Sequence, residues 1–262
     1  MGAAGQVATT KALQASVRHD LASADLRGAL AAGWADYRAH PAFGLFFGAI
    51  IVAAGWFLAW VTLARGEVAW LVPAAAGFPL LAPFCAVGLY EVSRRREAGL
   101  PLRWAAVLGA LRGRGDGQIL SIGVLLFVAF GFWLMIAHGI FAVFLAESGL
   151  GSESMDLFWS TPGLLMLLVG GAAGSVIALG FFAVTVISLP MLLDRDVDFL
   201  TAIITSLGVV KANPAVMLGW AVLIALSLAA AMLPVFVGLL VALPVLGHAT
   251  WHLYRRALIP AV

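Results

Sequence analysis

Five long stretches of the chain contain no Asp, Glu, Lys or Arg: residues 39–64, 68–90, 117–146, 157–193 and 212–254. A helix needs about 20 mostly apolar residues to cross ~30 Å of hydrocarbon at 1.5 Å per residue. The first three stretches each supply one such helix. The fourth opens on Trp159-Ser160-Thr161-Pro162-Gly163, a helix-start signal, and leaves one helix over about 163–190. The fifth would be ~65 Å long as one helix, roughly twice the hydrocarbon thickness. It is therefore expected to fold back near Met232-Leu233-Pro234, with Pro234 in the first turn of the returning helix. Six spans result. Composition agrees: 63% of the 262 residues are hydrophobic and 11% charged, against about 25% charged in a soluble protein. A water-soluble domain of this size has no core large enough to hide that much apolar surface.

The cations orient the spans. With both termini in the cytoplasm, Lys11, Arg18, Arg27, Arg38, Arg94, Arg95, Arg96, Arg103, Arg112, Arg114, Arg195, Lys211, Arg255 and Arg256 lie inside, and Arg65 alone lies outside. That bias is strongly positive-inside. The outer segment from Glu147 to Asp156 holds acids and no base. No cleavable signal peptide is expected in the first 41 residues, so the spans themselves direct insertion. Thirteen of the fifteen cations are Arg in an Ala- and Gly-rich chain, which suggests a GC-rich bacterial genome and the cytoplasmic (inner) membrane.

Three segments between the spans carry helical periodicity. Leu13, Val17, Leu21, Leu26, Leu30, Trp34 and Tyr37 recur at helical spacing over 12–38. Leu102, Trp104, Ala105, Leu108 and Leu111 do so over 101–112, and Leu200, Ile203, Ile204, Leu207 and Val210 over 198–211. Such helices suit either the inner membrane interface or the cytoplasmic end of the bundle. Residues 25–42 also align with 198–215 without gaps, pairing Asp25 with Asp198 and His40-Pro41 with Asn213-Pro214. The expected fold is all-α: six transmembrane helices in three hairpins, each preceded by an amphipathic helix on the cytoplasmic side. Unit one is 12–96, with an interfacial helix at 12–38 and spans at about 42–63 and 68–90. Unit two is 97–194, with a helix at 101–112 and spans at about 118–146 and 163–190. Unit three is 195–262, with a helix at 198–211 and spans at about 213–231 and 233–254. A flexible terminus, 1–11, precedes them.

At Leu189-Pro190-Met191-Leu192-Leu193-Asp194-Arg195-Asp196-Val197-Asp198-Phe199 the chain resembles a bacterial family of predicted integral membrane proteins, domain of unknown function 2189. The resemblance runs on through Asn213-Pro214, Trp220 and His248-Ala249-Thr250-Trp251-His252-Leu253-Tyr254-Arg255-Arg256, covering about 20–258 and most specifically 180–256. The family has no established activity. Some members carry a cytochrome c oxidase subunit label, which implies at most a respiratory association.

Few residues suggest chemistry. His138 and His248 would sit ~16 Å apart along the membrane normal, too far to grip one haem iron. His248 and His252 share a helix face and are the candidate cofactor ligands, although interfacial His-Trp-Tyr clusters commonly serve as anchors. Asp194, Asp196 and Asp198 are the candidate ligands for a divalent cation. The competing reading of that trio is a helix stop, an Asp–Arg pair and an N-cap at Asp198, which would also explain Asp25. The lone Cys85 excludes a disulfide framework. No Asp, Glu, Lys or Arg lies deep in a span, which argues against an ion-coupled pump. Pro73, Pro79, Pro83, Pro190 and Pro244 mark candidate helix breaks, and the small-residue pairs Gly44/Gly48 and Gly170/Gly174 mark close helix approaches. Trp56, Trp60, Trp70 and Trp159 are expected at the outer interface, and Trp251 and Tyr254 at the inner one. No nucleotide fingerprint or catalytic triad arrangement is present, and neither a cofactor nor nucleic acid is expected.

The reading that follows is a non-enzymatic inner-membrane protein in contact with lipids. It would be an accessory or scaffold subunit for other membrane proteins, with a respiratory complex among the hosts. The alternative is a transporter or channel for a small neutral or lipidic substrate, which requires a cavity reaching the membrane midplane.

Overall fold

The computed structural model describes residues 16–66, 82–110, 117–149 and 155–259. The described residues are helical almost throughout. The elements are β1 (Ser16–Val17), α1 (Ser23–Ala39), α2 (Pro41–Ala64), α3 (Ala82–Glu97), α4 (Trp104–Gly109), α5 (Gln118–Ser148), a 3₁₀ turn (Met155–Trp159), α6 (Thr161–Thr185), α7 (Ser188–Asp194), α8 (Phe199–Ala212), α9 (Pro214–Met232), α10 (Leu239–Ala257) and β2 (Leu258–Ile259). Four helical segments are long and apolar enough to cross a membrane: Pro41–Ala64, Gln118–Ser148, Thr161–Asp194 and Pro214–Met232. They coincide with four of the six expected spans. The outer part of the expected span at 68–90 and the terminus at 1–11 lie outside the described residues, as do Pro73, Pro79 and Trp70.

Helix starts follow their local chemistry. Pro41 and Pro214 each open a helix, where the missing N–H costs nothing. The residues before them, His40 (φ −138°, ψ 62°) and Asn213 (φ −131°, ψ 55°), share one backbone conformation. Ser160 caps α6 by accepting the Gly163 N–H at 3.1 Å. Gly149 closes α5 in the left-handed region at φ +65°, a conformation glycine adopts without penalty.

Three boundaries differ from expectation. The first amphipathic helix starts at Ser23, and Ser16–Val17 instead pairs antiparallel with Leu258–Ile259. Asn213 holds this extended entry by accepting the Leu21 N–H (3.1 Å) and donating to the Arg18 carbonyl (2.7 Å). The helix expected over 163–190 breaks at Val186-Ile187. The returning helix of the last hairpin begins at Leu239 rather than next to Pro234, because Val235 and Phe236 take positive φ in the turn. The Trp56 indole donates to the Val235 carbonyl at 2.8 Å and ties α2 to that turn.

Helix α10 is the centre of the molecule. Twelve of its nineteen residues are buried, against two of nineteen in α9. Helices α1, α2 and α3 pack around it, brought close by small residues. A Cβ on Gly33 would stand 2.6 Å from the Ala249 nitrogen and 2.7 Å from the Val245 carbonyl oxygen, so α1 and α10 meet backbone to backbone. Gly44 and Gly48 of α2 face Pro244 and Leu240 of α10, which makes that pair a contact within the bundle.

Candidate functional site

Two places on this frame can do chemistry or hold a ligand. The first is a polar cluster where α1, α3 and α10 meet. Asp36 is buried, and its carboxylate accepts from the Ser93 hydroxyl (2.6 Å), from His252 Nε2 (2.8 Å) and from Arg96. An ionised Asp36 can only accept, so Ser93 spends its proton there. Ser93 Oγ must then accept from His248 Nδ1 at 2.8 Å. That assignment leaves His248 Nε2 as a buried lone pair with no partner among the described residues. Burial works against the Asp36 charge. The hydrogen bonds from His252 and Ser93, with both imidazoles nearby, outweigh burial and hold the carboxyl down at about 2.

The candidate ligands therefore have other tasks. His248 and His252 are held apart by different partners, and His138 is exposed on α5. Asp194 accepts from the Tyr254 hydroxyl (2.8 Å) and from Arg255 (3.2 Å). Asp198 caps α8, accepting from the Thr201 N–H (2.8 Å) and hydroxyl (2.6 Å), and these bonds lower its pKa. Asp25 stands three residues inside α1 and reaches back to the Ala22 N–H at 2.9 Å, so it is not a second N-cap. Among the described residues no three His, Cys, Asp or Glu side chains are grouped to hold a metal ion.

Sequence reasoning missed Asp36 and Ser93. The apolar residues of α1 at helical spacing suggested a face through Leu26, Leu30, Trp34 and Tyr37; Tyr37 is buried and Leu26 and Leu30 are partly so, but Trp34 is exposed and the rest of the buried face is Ala29, Gly33 and Asp36. Its signal was the small residues at 29 and 33, two turns and one turn before the acid. Trp251 and Tyr254, expected as lipid-facing anchors, are buried instead. Trp251 donates to Glu97 at 3.0 Å and Tyr254 to Asp194. Their polar ends needed carboxylates, and α3 and α7 bring those within reach.

The second place is a groove of about 880 Å³ between the α5–α6 hairpin and α9–α10. The hairpin packs on itself and on α7 and α8, but hardly along α9 or α10. Trp133, Phe141 and Met166 line one part of the groove, Leu246 and Leu228 another; Gly170 and Gly171 leave the α6 wall open, and the Trp133 ring rests against Gly174. Among the described residues, no Asp, Glu, Lys, Arg or His borders it. Its volume falls within the roughly 300–1,000 Å³ of small-molecule sites.

Four helical segments of this length and apolarity define an integral membrane protein. The family described as "Predicted integral membrane protein (DUF2189)" matches residues 71–194 of the chain, which bears out the resemblance read from the sequence. The match covers the segment up to Asp194, whereas the sequence motifs had pointed most strongly to 180–256. No curated protein and no solved structure matches the chain.

Proposed function

We propose that this is a non-enzymatic, six-span protein of the bacterial inner membrane that holds a small neutral or lipidic molecule in the groove between α5, α6, α9 and α10. The observation that carries this reading is the groove itself, an open apolar volume of about 880 Å³ with no charged residue on its walls. Such a lining desolvates an apolar guest without stranding a charge. The absence of buried charge in the described spans also speaks against coupling to ions or protons. Both termini are cytoplasmic in this reading, from the positive-inside bias, and the matching junctions at His40 and Asn213 support an internal repeat.

Purification in a mild detergent, solvent extraction and mass spectrometry test this function. The parent should retain a lipid that the Gly170→Leu variant loses, because a Cβ at Gly170 meets nothing within 4 Å and a Leu there would project into open space. Equal retention, or none in either, would overturn the reading.

A second reading is favoured by the way the α5–α6 hairpin stands off from α9 and α10. A transmembrane helix of another protein could fill that gap, which would make this chain an accessory or scaffold subunit, with a respiratory complex as one host. That reading expects a membrane partner to co-purify with the parent and to be lost from Gly170→Leu.

A further inference from the structure

Among the described residues the groove carries one unspent hydroxyl donor. Four hydroxyl side chains border it: Tyr90, Ser175, Thr185 and Thr250. Ser175 donates to the Gly171 carbonyl (2.7 Å), Thr185 to Phe181 (2.7 Å) and Thr250 to Leu246 (2.8 Å), each to the preceding turn of its own helix. Those three protons are unavailable to a guest. Tyr90 on α3 differs. The residue is 5% exposed, its hydroxyl takes no part in the hydrogen bonds among the described residues, and it is not one of the fully buried unpartnered atoms, which are Trp220 Nε1 and His248 Nε2. A hydroxyl at the edge of an apolar volume, with its proton uncommitted, is free to donate to a guest that supplies an acceptor. The Trp133 indole N–H also borders the groove, and the other described walls are hydrocarbon, aromatic ring or hydroxyls already bonded within their own helices.

The placement gives direction as well as chemistry. Tyr90 lies four residues, or about 6 Å, before Arg94 on the same helix, so it belongs to the cationic end of the groove. The Gly170-Gly171-Gly174 wall and Trp133 run away from that end. Resting on the lipidic reading above, we propose that the guest is an elongated membrane lipid with a carbonyl head. The Tyr90 hydroxyl donates to that carbonyl, and the chain lies along the glycine wall of α6 beneath Trp133. A quinone carbonyl and an acyl ester carbonyl present the same acceptor on the same kind of tail.

The full chain in nanodiscs tests this assignment. Trp133 borders the groove, so the fluorescence removed by Trp133→Phe isolates a local reporter. Three probes are titrated: a short-tailed quinone, a bromine-labelled acyl methyl ester and a bromine-labelled alkane without a carbonyl. The parent should be quenched by at least one carbonyl probe at concentrations about tenfold below the alkane. Tyr90→Phe, which keeps the ring, should erase that advantage and leave alkane quenching unchanged. Whichever carbonyl probe binds more tightly identifies the source of the head. If Gly170→Leu abolishes quenching by every probe while Tyr90→Phe changes none of them, the Tyr90 assignment falls and the groove remains. If no probe quenches Trp133 in the parent, the lipidic reading falls with it.

Discussion

At the scale of single residues, the tightest constraints sit where two backbones touch. A Cβ at position 33 would lie well inside contact distance of α10 main-chain atoms, which cannot rotate away as a side chain can. Gly33→Ala should therefore destabilise by overpacking, about 1–3 kcal/mol. Gly131→Ala, where a Cβ meets nothing, should be near neutral; thermal melts of the two variants in one detergent make the comparison. Asp36 offers a second measurement. Its carboxyl is held at about 2, below the ordinary 3.8, so its contribution is present above pH 3.8 and is lost as pH falls through about 2. Asp36→Asn should cost about 3 kcal/mol at neutral pH, near the low end for a broken buried pair because Arg96 is 37% exposed. The gap to the parent should then close between pH 4 and pH 2; a gap independent of pH would mean that packing, not charge, is what Asp36 supplies. The charges of the chain were readable from its sequence, but the burial of this one was not. Periodicity identifies apolar faces, whereas close helix contact in a membrane selects small faces, and on α1 the two faces differ.

At the scale of elements, helix existence was legible because length and apolarity set it directly, and Asp198 marked the start of α8 as expected. The break between α6 and α7 was less so. Pro190 removes an N–H and crowds the carbonyl one turn earlier, yet the position of the break depends on a side chain from another helix. Ser206 of α8 accepts the Ile187 N–H (3.2 Å) and donates to the Ala183 carbonyl (2.6 Å), bridging both sides of the gap. Ser206→Ala strands one buried donor and one buried acceptor, at about 1–3 kcal/mol. Hydrogen exchange should report the loss locally, as faster exchange at the Ile187 amide with α9 unchanged. If Pro190 alone sets the break, Ile187 exchange will not respond to Ser206→Ala.

At the scale of the whole molecule, the question is how often the chain crosses, and contacts between distant residues bear on it. Helix α2 begins beside α1 and runs 24 residues, about 36 Å, away from it. By Ser93 of α3 the chain is back in contact with Asp36 of α1, on the side from which α2 departs. The other two hairpins close in the same way. Gln118 at the start of α5 accepts the Phe199 N–H of α8 (2.9 Å), and Asp194 at the end of α7 accepts from Tyr254 of α10. Asn213, just before α9, holds Arg18 and Leu21, while His252 near the end of α10 returns to Asp36. These contacts support the proposed six-span path, in which α10, carrying His248, His252, Arg255 and Arg256, is the last crossing and lies largely buried among the other helices. The centre of the fold can be polar because neighbouring helices, rather than acyl chains, surround it. Paired reporters fused after Arg256 and within Gly149–Asp156 should thus give opposite results, an enzyme active only in the cytoplasm at the first site and one active only in the periplasm at the second. A periplasmic signal after Arg256 would leave α10 on the outer side and require an odd number of crossings, which the contact between His252 and Asp36 does not allow with a cytoplasmic α1.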